Sequence, residues 1–214
     1  MESAIYKNAP AGTKVIETFG FDPDRGGVHN IQRHMERAAA TCKLLGFGFD
    51  RGAAFAQINE QCYLERLRIR MLISKSGRVE IEANSFKPET RAWNIKISDT
   101  RLKFDDPWLK VKTTQRHLYD EERANMPNGV DELIYFNEQD ELCEGTITNI
   151  FVPQRGKLIT PQVDCGLLPG TLRQELIDQG VAVPGILHLN DLKSAKAIYI
   201  GNSLRGLMRA KLIS

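Results

Sequence analysis

The chain has 214 residues, of which 42% are hydrophobic and 26% are charged, an ordinary composition for a globular protein. Lys and Arg total 29 against 27 Asp and Glu, so the formal net charge is +2. Such a small net charge argues against nucleic acid or a membrane surface as the partner. The basic stretch ERLRIR (65–70) alternates with apolar residues and is more typical of a strand with one charged face.

The cysteines and the termini bear on location and on metal binding. Cys42, Cys62, Cys143 and Cys165 form no CxxC pair, and a zinc site requires closer spacing. Reduced thiols are typical of cytoplasmic proteins. The first residues, MESAIYKNAPAG, lack the pattern of a signal peptide, and no apolar run approaches membrane-spanning length. We therefore expect a cytoplasmic protein without a metal site.

The first hundred residues predict an α+β unit with an antiparallel sheet. A strand is predicted over 14–21 from its β-branched and aromatic content, and it ends at the turn formers DPDRGG. A helix is predicted within 29–48, because apolar residues recur at helical spacing and glycine follows them. A second helix is predicted over 53–66. Three alternating, strand-like segments follow, LRIRMLIS, GRVEIEA and WNIKIS.

The second half begins at a proline-marked stretch around Pro107. It predicts a first domain over 1–106, a linker over 107–113 and a second domain over 114–214. A helix is predicted over 116–125, and a turn followed by a helix is predicted from LLPGTLRQELIDQG, where Gly180 closes the helix. The remaining predicted elements are the strands DELIYFN, TNIFVP, KLITP and AIYIGN and a short helix at NDLKSA.

The segment VKTTQRHLYD (111–120) contains the first candidate for chemistry, Lys112. By residue type alone, a lysine at a strand-to-helix junction is a surface residue. The functional interpretation is a desolvated amine that forms a Schiff base with a carbonyl cofactor. Such chemistry requires partner residues elsewhere in the chain.

EGTITNIF (144–151) offers one such partner. Glu144 is either a solvated turn residue or a buried acid that faces a pyridine nitrogen and keeps it protonated. A protonated pyridine ring makes a pyridoxal cofactor a strong electron sink. The second interpretation therefore pairs Glu144 with the amine of Lys112.

Three further segments could bind a phosphate group. LPGTLRQEL (168–176) has two interpretations. It is either a simple turn of Pro and Gly before a helix, or a helix N-terminus whose N–H groups at Thr171 and Leu172 hold phosphate. GNSLRG (201–206) is either a β-turn or a source of the Ser203 hydroxyl. Arg37 lies beside the apolar stripe of its helix, and a guanidinium binds phosphate through two hydrogen bonds.

Other enzyme classes are disfavoured by the motifs that the sequence lacks. Four histidines are present, but no serine lies in a GxSxG-like elbow, which argues against Ser-His-Asp hydrolysis. Neither GxxxxGK[ST] nor GxGxxG occurs, which argues against a nucleotide-binding enzyme.

Five segments, in their order and spacing, resemble the class IV aminotransferase family, the pyridoxal-phosphate enzymes of fold type IV. They are HMERAAA, KTTQRHLYDEER, DELIYFNEQDELCEGTITNIFV, TPQVDCGLLPGTLRQEL and IYIGNSLRG. The resemblance implies an α/β (α+β) protein of two domains, an N-terminal α/β sandwich and a C-terminal pseudo-barrel. It also implies a homodimer with pyridoxal 5'-phosphate between the two domains.

The resemblance also implies roles for individual residues. Lys112, rather than the neighbouring Lys110, matches the lysine that carries the cofactor and moves the substrate proton. Glu144 matches the acid that pairs with the pyridine nitrogen, and Asn149 falls at a position near the ring. The residues that match the phosphate site are Arg37, the backbone of Thr171 and Leu172, and Ser203.

Within the family, KTT…YDE, GLLPGTLR and NSLRG are most similar to 4-amino-4-deoxychorismate lyases, including those fused to aminodeoxychorismate synthase. This implies conversion of 4-amino-4-deoxychorismate to 4-aminobenzoate and pyruvate in folate biosynthesis, with the synthase as a candidate partner. The alternative is an aminotransferase for branched-chain or D-amino acids.

Several relatives bind the substrate carboxylate with an arginine, but the segment ISKSGR has Lys75 at that position. The candidate substrate residues are therefore Lys75 and Arg78, with Arg70 as a further possibility. A binding module without activity is disfavoured because Lys112 and Glu144 are both present.

Overall fold

The computed structural model describes residues 9–59 and 64–213 of the chain. They divide into two compact units. The first contains the described part of Met1–Pro88 together with Lys112–Gln115, and the second contains Glu89–Val111 and Arg116–Ser214. The sequence predicted a first domain over 1–106, but strand β5 (Trp93–Leu102) pairs with strands of the second unit, so residues 89–106 belong there.

The first unit is built on a four-stranded antiparallel sheet with the strand order β2-β1-β3-β4. The strands are β1 (Val15–Asp22), β2 (Gly27–Val28), β3 (Leu67–Ile73) and β4 (Val79–Ser85). In the register of β1 with β3, Val15 pairs with Ile73 and Phe19 with Ile69, and all four side chains are fully buried. The antiparallel strands predicted over 14–21, 67–74 and 77–83 are confirmed.

In the described part of the first unit, two α-helices accompany this sheet, α1 (Ile31–Leu45) and α2 (Arg51–Asn59). The predicted apolar stripe of α1 is buried at Met35, Ala38, Cys42 and Leu45. Gly46 ends α1 with a φ of 69°, the left-handed conformation that glycine adopts without strain. The helix predicted over 53–66 ends at Asn59 in the described part; residues 60–63, including Cys62, lie outside the described residues.

The second unit contains an eight-stranded mixed sheet with the order β10-β9-β8-β11-β12-β5-β6-β7. Besides β5, its strands are β6 (Glu132–Asn137), β7 (Leu142–Gly145), β8 (Asn149–Gln154), β9 (Lys157–Pro161), β10 (Ala182–Gly185), β11 (Ile198–Asn202) and β12 (Gly206–Leu212). The Leu142 N–H of edge strand β7 donates to the Leu187 carbonyl, just beyond edge strand β10, at 2.7 Å. The sheet therefore curls until its two edges meet, as expected for the predicted pseudo-barrel.

Three α-helices belong to the described part of the second unit: α3 (His117–Ala124), α4 (Thr171–Asp178) and α5 (Leu189–Ser194). The helix predicted over 116–125 and the short helix at NDLKSA are confirmed. One core cluster fills the curled sheet around Ile95, Ile134, Ile150 and Ile200. A second cluster joins α3 to β6 through Tyr119 and Tyr135. Among the described residues, no helix is long and apolar enough to cross a membrane.

Candidate active site

Lys112 belongs to the first unit, where its backbone is attached to β1. The Lys112 carbonyl accepts from the Ile16 N–H at 2.9 Å, and the Thr114 N–H donates to the Lys14 carbonyl at 2.9 Å. Between them, Thr113 forms a β-bridge with Val15. Lys112 and the neighbouring Lys110 are both half-buried, and the Lys110 Nζ lies 3.8 Å from the carboxylate of Asp164. The segment thus fixes the backbone position of Lys112.

A buried charged cluster of β1 and α1 contains Arg37. The Glu17 carboxylate, which is fully buried, accepts from Arg37 Nε at 2.9 Å and from Arg37 Nη2 at 2.7 Å. His34 Nδ1 lies 2.6 Å from the same Glu17 oxygen that Arg37 Nη2 contacts. Two charge-assisted hydrogen bonds therefore hold one edge of the Arg37 guanidinium. This bidentate pairing with a carboxylate fixes the orientation of the guanidinium plane.

The pKa values in this cluster follow from burial and charge. Burial would raise the pKa of Glu17, but the charge of Arg37 and the hydrogen bonds from His34 and Arg37 outweigh it and lower that pKa to about 2. Burial lowers the pKa of His34 despite its bond to Glu17, and the charges of Arg37 and Lys112 act in the same direction. The resulting state is an ionised Glu17 beside a neutral imidazole.

Glu144, in the second unit, is a buried carboxylate on β7 with a donor at each oxygen. The Tyr119 hydroxyl of α3 donates to Oε1 at 2.9 Å, and the Leu168 N–H donates to Oε2 at 3.2 Å. Its side chain is only 6% exposed. Glu144 is therefore not the solvated turn residue of the alternative interpretation. It is an oriented acid inside the second unit.

The N-terminus of α4 lies against Asn149, the first residue of β8. Gly170 precedes the helix, and Thr171 and Leu172 form its first turn, as predicted. Asn149 Nδ2 donates to the Leu168 carbonyl at 3.0 Å, which ties β8 to the segment that leads into α4. A helix N-terminus presents N–H groups without intrahelical acceptors and carries partial positive charge. The arrangement suits an anion.

Ser203 lies in the turn between β11 and β12, close to the same helix. The Asn202 side chain organises this turn, because its Oδ1 accepts from the N–H groups of Leu204 and Arg205 at 3.1 and 3.0 Å. A Cβ on Gly201 would meet the Gly206 carbonyl at 2.6 Å and Leu172 Cδ2 at 2.7 Å. Only glycine allows this close approach, which sets the turn beside the first turn of α4.

Glu132 on β6 organises the loop between Glu144 and Asn149, although no sequence motif pointed to this residue. Its fully buried carboxylate accepts from the side chains of Thr146 and Thr148 and from the Ile147 N–H. Burial raises the pKa of Glu132 above its usual value, although these donors oppose the shift. The detectable signal was Glu132 directly before the apolar run LIYF of the predicted strand DELIYFN.

Four further residues bear on the predicted chemistry. Cys143, next to Glu144, is fully buried, and burial raises the pKa of its thiol well above the usual range, so this thiol is not an activated nucleophile. Lys75 and Arg78 are both exposed near the turn between β3 and β4, and Arg78 Nε lies 3.9 Å from the Glu80 carboxylate. Arg70 is half-buried on β3. The carboxylate-binding role of these residues stays a prediction.

The predicted residues thus form two groups, one in each unit. Lys112 and Arg37 belong to the first unit. The second unit brings together Glu144, Asn149, Thr171, Leu172 and Ser203. These groups fit pyridoxal phosphate in their chemistry: a primary amine for the carbonyl, an oriented carboxylate for the ring nitrogen, and a helix N-terminus with a neighbouring hydroxyl turn for the phosphate.

Comparison with known proteins extends this result. A Schizosaccharomyces pombe protein provisionally assigned as an aminodeoxychorismate lyase is 27% identical over 213 residues, covering 94% of this chain and 90% of that protein. The Saccharomyces cerevisiae aminodeoxychorismate lyase is 26% identical over 200 residues, covering 71% of this chain and 52% of that longer protein. Both relatives carry the name that the motifs suggested.

A solved structure from Mesorhizobium loti, provisionally assigned as an amino-acid aminotransferase, has a TM-score of 0.88 and 36% identity. It covers 94% of this chain, and the match includes 100% of that chain. This similarity confirms the predicted fold class. A family model for amino-transferase class IV matches residues 14–213, nearly the whole chain. With the site geometry and these relatives in agreement, the chain belongs to the class IV aminotransferase family of pyridoxal-phosphate enzymes.

Proposed function

We propose that this protein is a pyridoxal-phosphate-dependent lyase that converts 4-amino-4-deoxychorismate to 4-aminobenzoate and pyruvate. The observation that supports it most directly is the similarity to the Schizosaccharomyces pombe lyase relative, because the two proteins match over 90% of the relative's length. The lyase-like segments KTT…YDE, GLLPGTLR and NSLRG agree with it. The proposal includes a homodimer in the cytoplasm, with an aminodeoxychorismate synthase as the source of substrate.

In this proposal Lys112 holds the carbonyl carbon, Glu144 pairs with the ring nitrogen, and Asn149 lies near the ring. Arg37, the N–H groups of Thr171 and Leu172, and the Ser203 hydroxyl hold the phosphate. When bound, pyridoxal phosphate supplies an electron sink for the electron pair that proton removal leaves on the substrate.

The chain itself performs the proton transfers. Once the substrate amine has replaced it, the free Lys112 amine removes a proton from the substrate carbon that bears the amino group. The C–O bond on the neighbouring carbon then breaks, and the side chain leaves as the enolate of pyruvate. The same proton completes the methyl group of pyruvate, so the products contain every atom of the substrate. Glu144 keeps a proton on the ring nitrogen throughout, because its carboxylate is fixed by donors at both oxygens.

The second candidate is an aminotransferase for branched-chain or D-amino acids. It is favoured by the Mesorhizobium loti relative, whose 36% identity exceeds that of the yeast proteins. Lys112 would serve both reactions, so cofactor binding cannot distinguish them. The reactions differ in whether a second substrate is needed for each turnover.

The discriminating experiment supplies the enzyme with 4-amino-4-deoxychorismate as the sole substrate. A lyase makes 4-aminobenzoate and pyruvate in equal amounts over many turnovers, which fluorescence and a coupled pyruvate assay detect. Failure to form 4-aminobenzoate, together with steady glutamate-dependent amination of branched-chain keto acids, would replace the lyase with the aminotransferase.

A further inference from the structure

Tyr119 is a buried hydroxyl donor that the proposed function does not use. It lies on α3 and donates to Glu144 Oε1 at 2.9 Å, and the side chain is 9% exposed. Burial is the main cause of the raised pKa of Tyr119, and the charge of Glu144 raises that pKa further. The hydroxyl therefore keeps its proton at any physiological pH and acts as a permanent donor.

The position of Tyr119 is fixed by packing. Its ring contacts Tyr135 of β6 edge to face, with 5.1 Å between centroids and an interplanar angle of 77°. The next turn of α3 is attached to the sheet through Glu122, which accepts from Ser98 Oγ at 2.8 Å, Thr100 Oγ1 at 2.6 Å and the Tyr135 hydroxyl at 2.9 Å. The helix cannot shift the hydroxyl away from Glu144 without breaking these bonds.

The hydrogen-bond donors around Glu144 favour its ionised form and oppose the effect of its burial. Tyr119 stabilises the charge on one oxygen and the Leu168 N–H stabilises it on the other. Arg173 of α4, whose side chain is buried, gains favourable electrostatic interaction with Glu144. Between a carboxylate stabilised in this way and a basic ring nitrogen, a shared proton belongs on the nitrogen.

We propose that Tyr119 is a positioning residue whose hydrogen bond to Glu144 keeps the shared proton on the ring nitrogen of bound pyridoxal phosphate. This inference rests on the proposed pairing of Glu144 with that nitrogen. It adds a residue that lies 25 positions from Glu144 in sequence and does not itself contact the reacting atoms. Without the hydroxyl, the Glu144 carboxylate becomes more basic and competes for the proton.

Nuclear magnetic resonance of the ring nitrogen tests this role directly. Apoprotein is reconstituted with pyridoxal phosphate labelled with ¹⁵N in the ring, and the ¹⁵N shift distinguishes a pyridinium from a neutral pyridine. In Tyr119→Phe we expect the ratio of protonated to neutral nitrogen to fall about tenfold, since a hydrogen bond to a charged group is worth at least that factor. Tyr199→Phe is the matched control: it removes the hydroxyl of a half-buried tyrosine on β11, outside the set of contacts that positions Tyr119, and the ratio should stay at the wild-type value.

The outcomes separate this inference from the proposed function. If Glu144→Ala neutralises the nitrogen and Tyr119→Phe leaves it protonated, Tyr119 has no such role and the proposed function stands. If Glu144→Ala also leaves the nitrogen signal unchanged, the pairing of Glu144 with the ring is wrong and both ideas fall. Tyr119→Met fills similar space without a hydroxyl and gives the same test should the phenylalanine variant not fold.

Discussion

The side-chain oxygen of Asn149 lies in the space where a Cβ on Gly170 would stand. Asn149 begins β8 and Gly170 precedes α4, so their contact sets the helix N-terminus against the end of the strand. Because that N-terminus is part of the proposed phosphate site, a methyl group at residue 170 should disturb binding without removing any charged group.

Gly170→Ala is therefore expected to lower the free energy of unfolding by about 1–3 kcal/mol, the usual cost of overpacking. The same change should raise the dissociation constant for pyridoxal phosphate. Thermal unfolding of the apoprotein and fluorescence titration of the cofactor measure the two effects. Gly52→Ala is the control, because a Cβ on this glycine of α2 meets only Asp50 Oδ1 at an ordinary 3.4 Å and alanine favours a helix. If Gly170→Ala and Gly52→Ala had the same free energy of unfolding and the same dissociation constant, the proposed role of the Asn149–Gly170 contact would be contradicted.

Glu144→Ala is expected to reduce turnover far more than stability. Loss of the carboxylate removes an electrostatic contact to the proposed pyridinium, commonly worth about 3 kcal/mol, or roughly a hundredfold in rate. Steady-state kinetics measures the loss, and chemical denaturation shows how much of it is structural. Glu121→Ala removes an exposed acid on α3 and should leave both quantities unchanged. Unaltered turnover in Glu144→Ala would show that Glu144 does not act on the ring.

Arg37→Lys keeps the positive charge but loses the planar fork that contacts Glu17 through Nε and Nη2. We expect a rise of about tenfold in the dissociation constant for pyridoxal phosphate, on the scale of one charge-assisted hydrogen bond. Equilibrium titration of the apoprotein gives the value. An unchanged affinity would assign the phosphate contact to another arginine, with Arg33 on the same helix the first alternative.

The free energy of unfolding should depend on pH through Glu17. Its folded-state pKa of about 2 lies below the ordinary value of 4.5, so its contribution is fully present above pH 4.5 and is lost as pH falls towards 2. The shift corresponds to about 3 kcal/mol for this fully buried group. Denaturation at several pH values should show a shallower acid loss in Glu17→Gln than in the wild type. Parallel curves for the two proteins would refute the linkage.

Local pattern was sufficient for most helices and for the strands with clear alternation. The stripe of α1 and the glycine at its end are examples, because both are determined by neighbouring residues. The short β7 and β10 were not predicted, because LCEG and AVPG show no clear alternation. Strand β12 was not predicted either, although apolar Met208, Ala210 and Leu212 alternate with charged residues in GLMRAKL. The sheet to which β5 belongs could not be predicted, since its parallel partners β6 and β12 are defined by distant pairing.

For the candidate site as well, the sequence indicated local motifs but not the distant residues that contact them. Motifs identified Glu144, Thr171 and Ser203, but they gave no indication of what holds these residues. Glu17 contacts Arg37 from a different element, and Glu132 contacts a loop that begins 14 residues later. In the sequence, Tyr119 is an ordinary helix residue. Only the fold brings its hydroxyl next to Glu144. Such partners depend on the fold, and a single sequence does not reveal them.

The central claim is that Lys112 carries the cofactor, and borohydride reduction with peptide mapping tests it most directly. Purified protein reconstituted with pyridoxal phosphate should be yellow, and reduction should fix the cofactor irreversibly on one lysine. The account predicts that mass spectrometry finds the label on Lys112, the half-buried lysine attached to β1. Label on Lys110, which lies near Asp164, or protein that binds no pyridoxal phosphate after reconstitution, would contradict it.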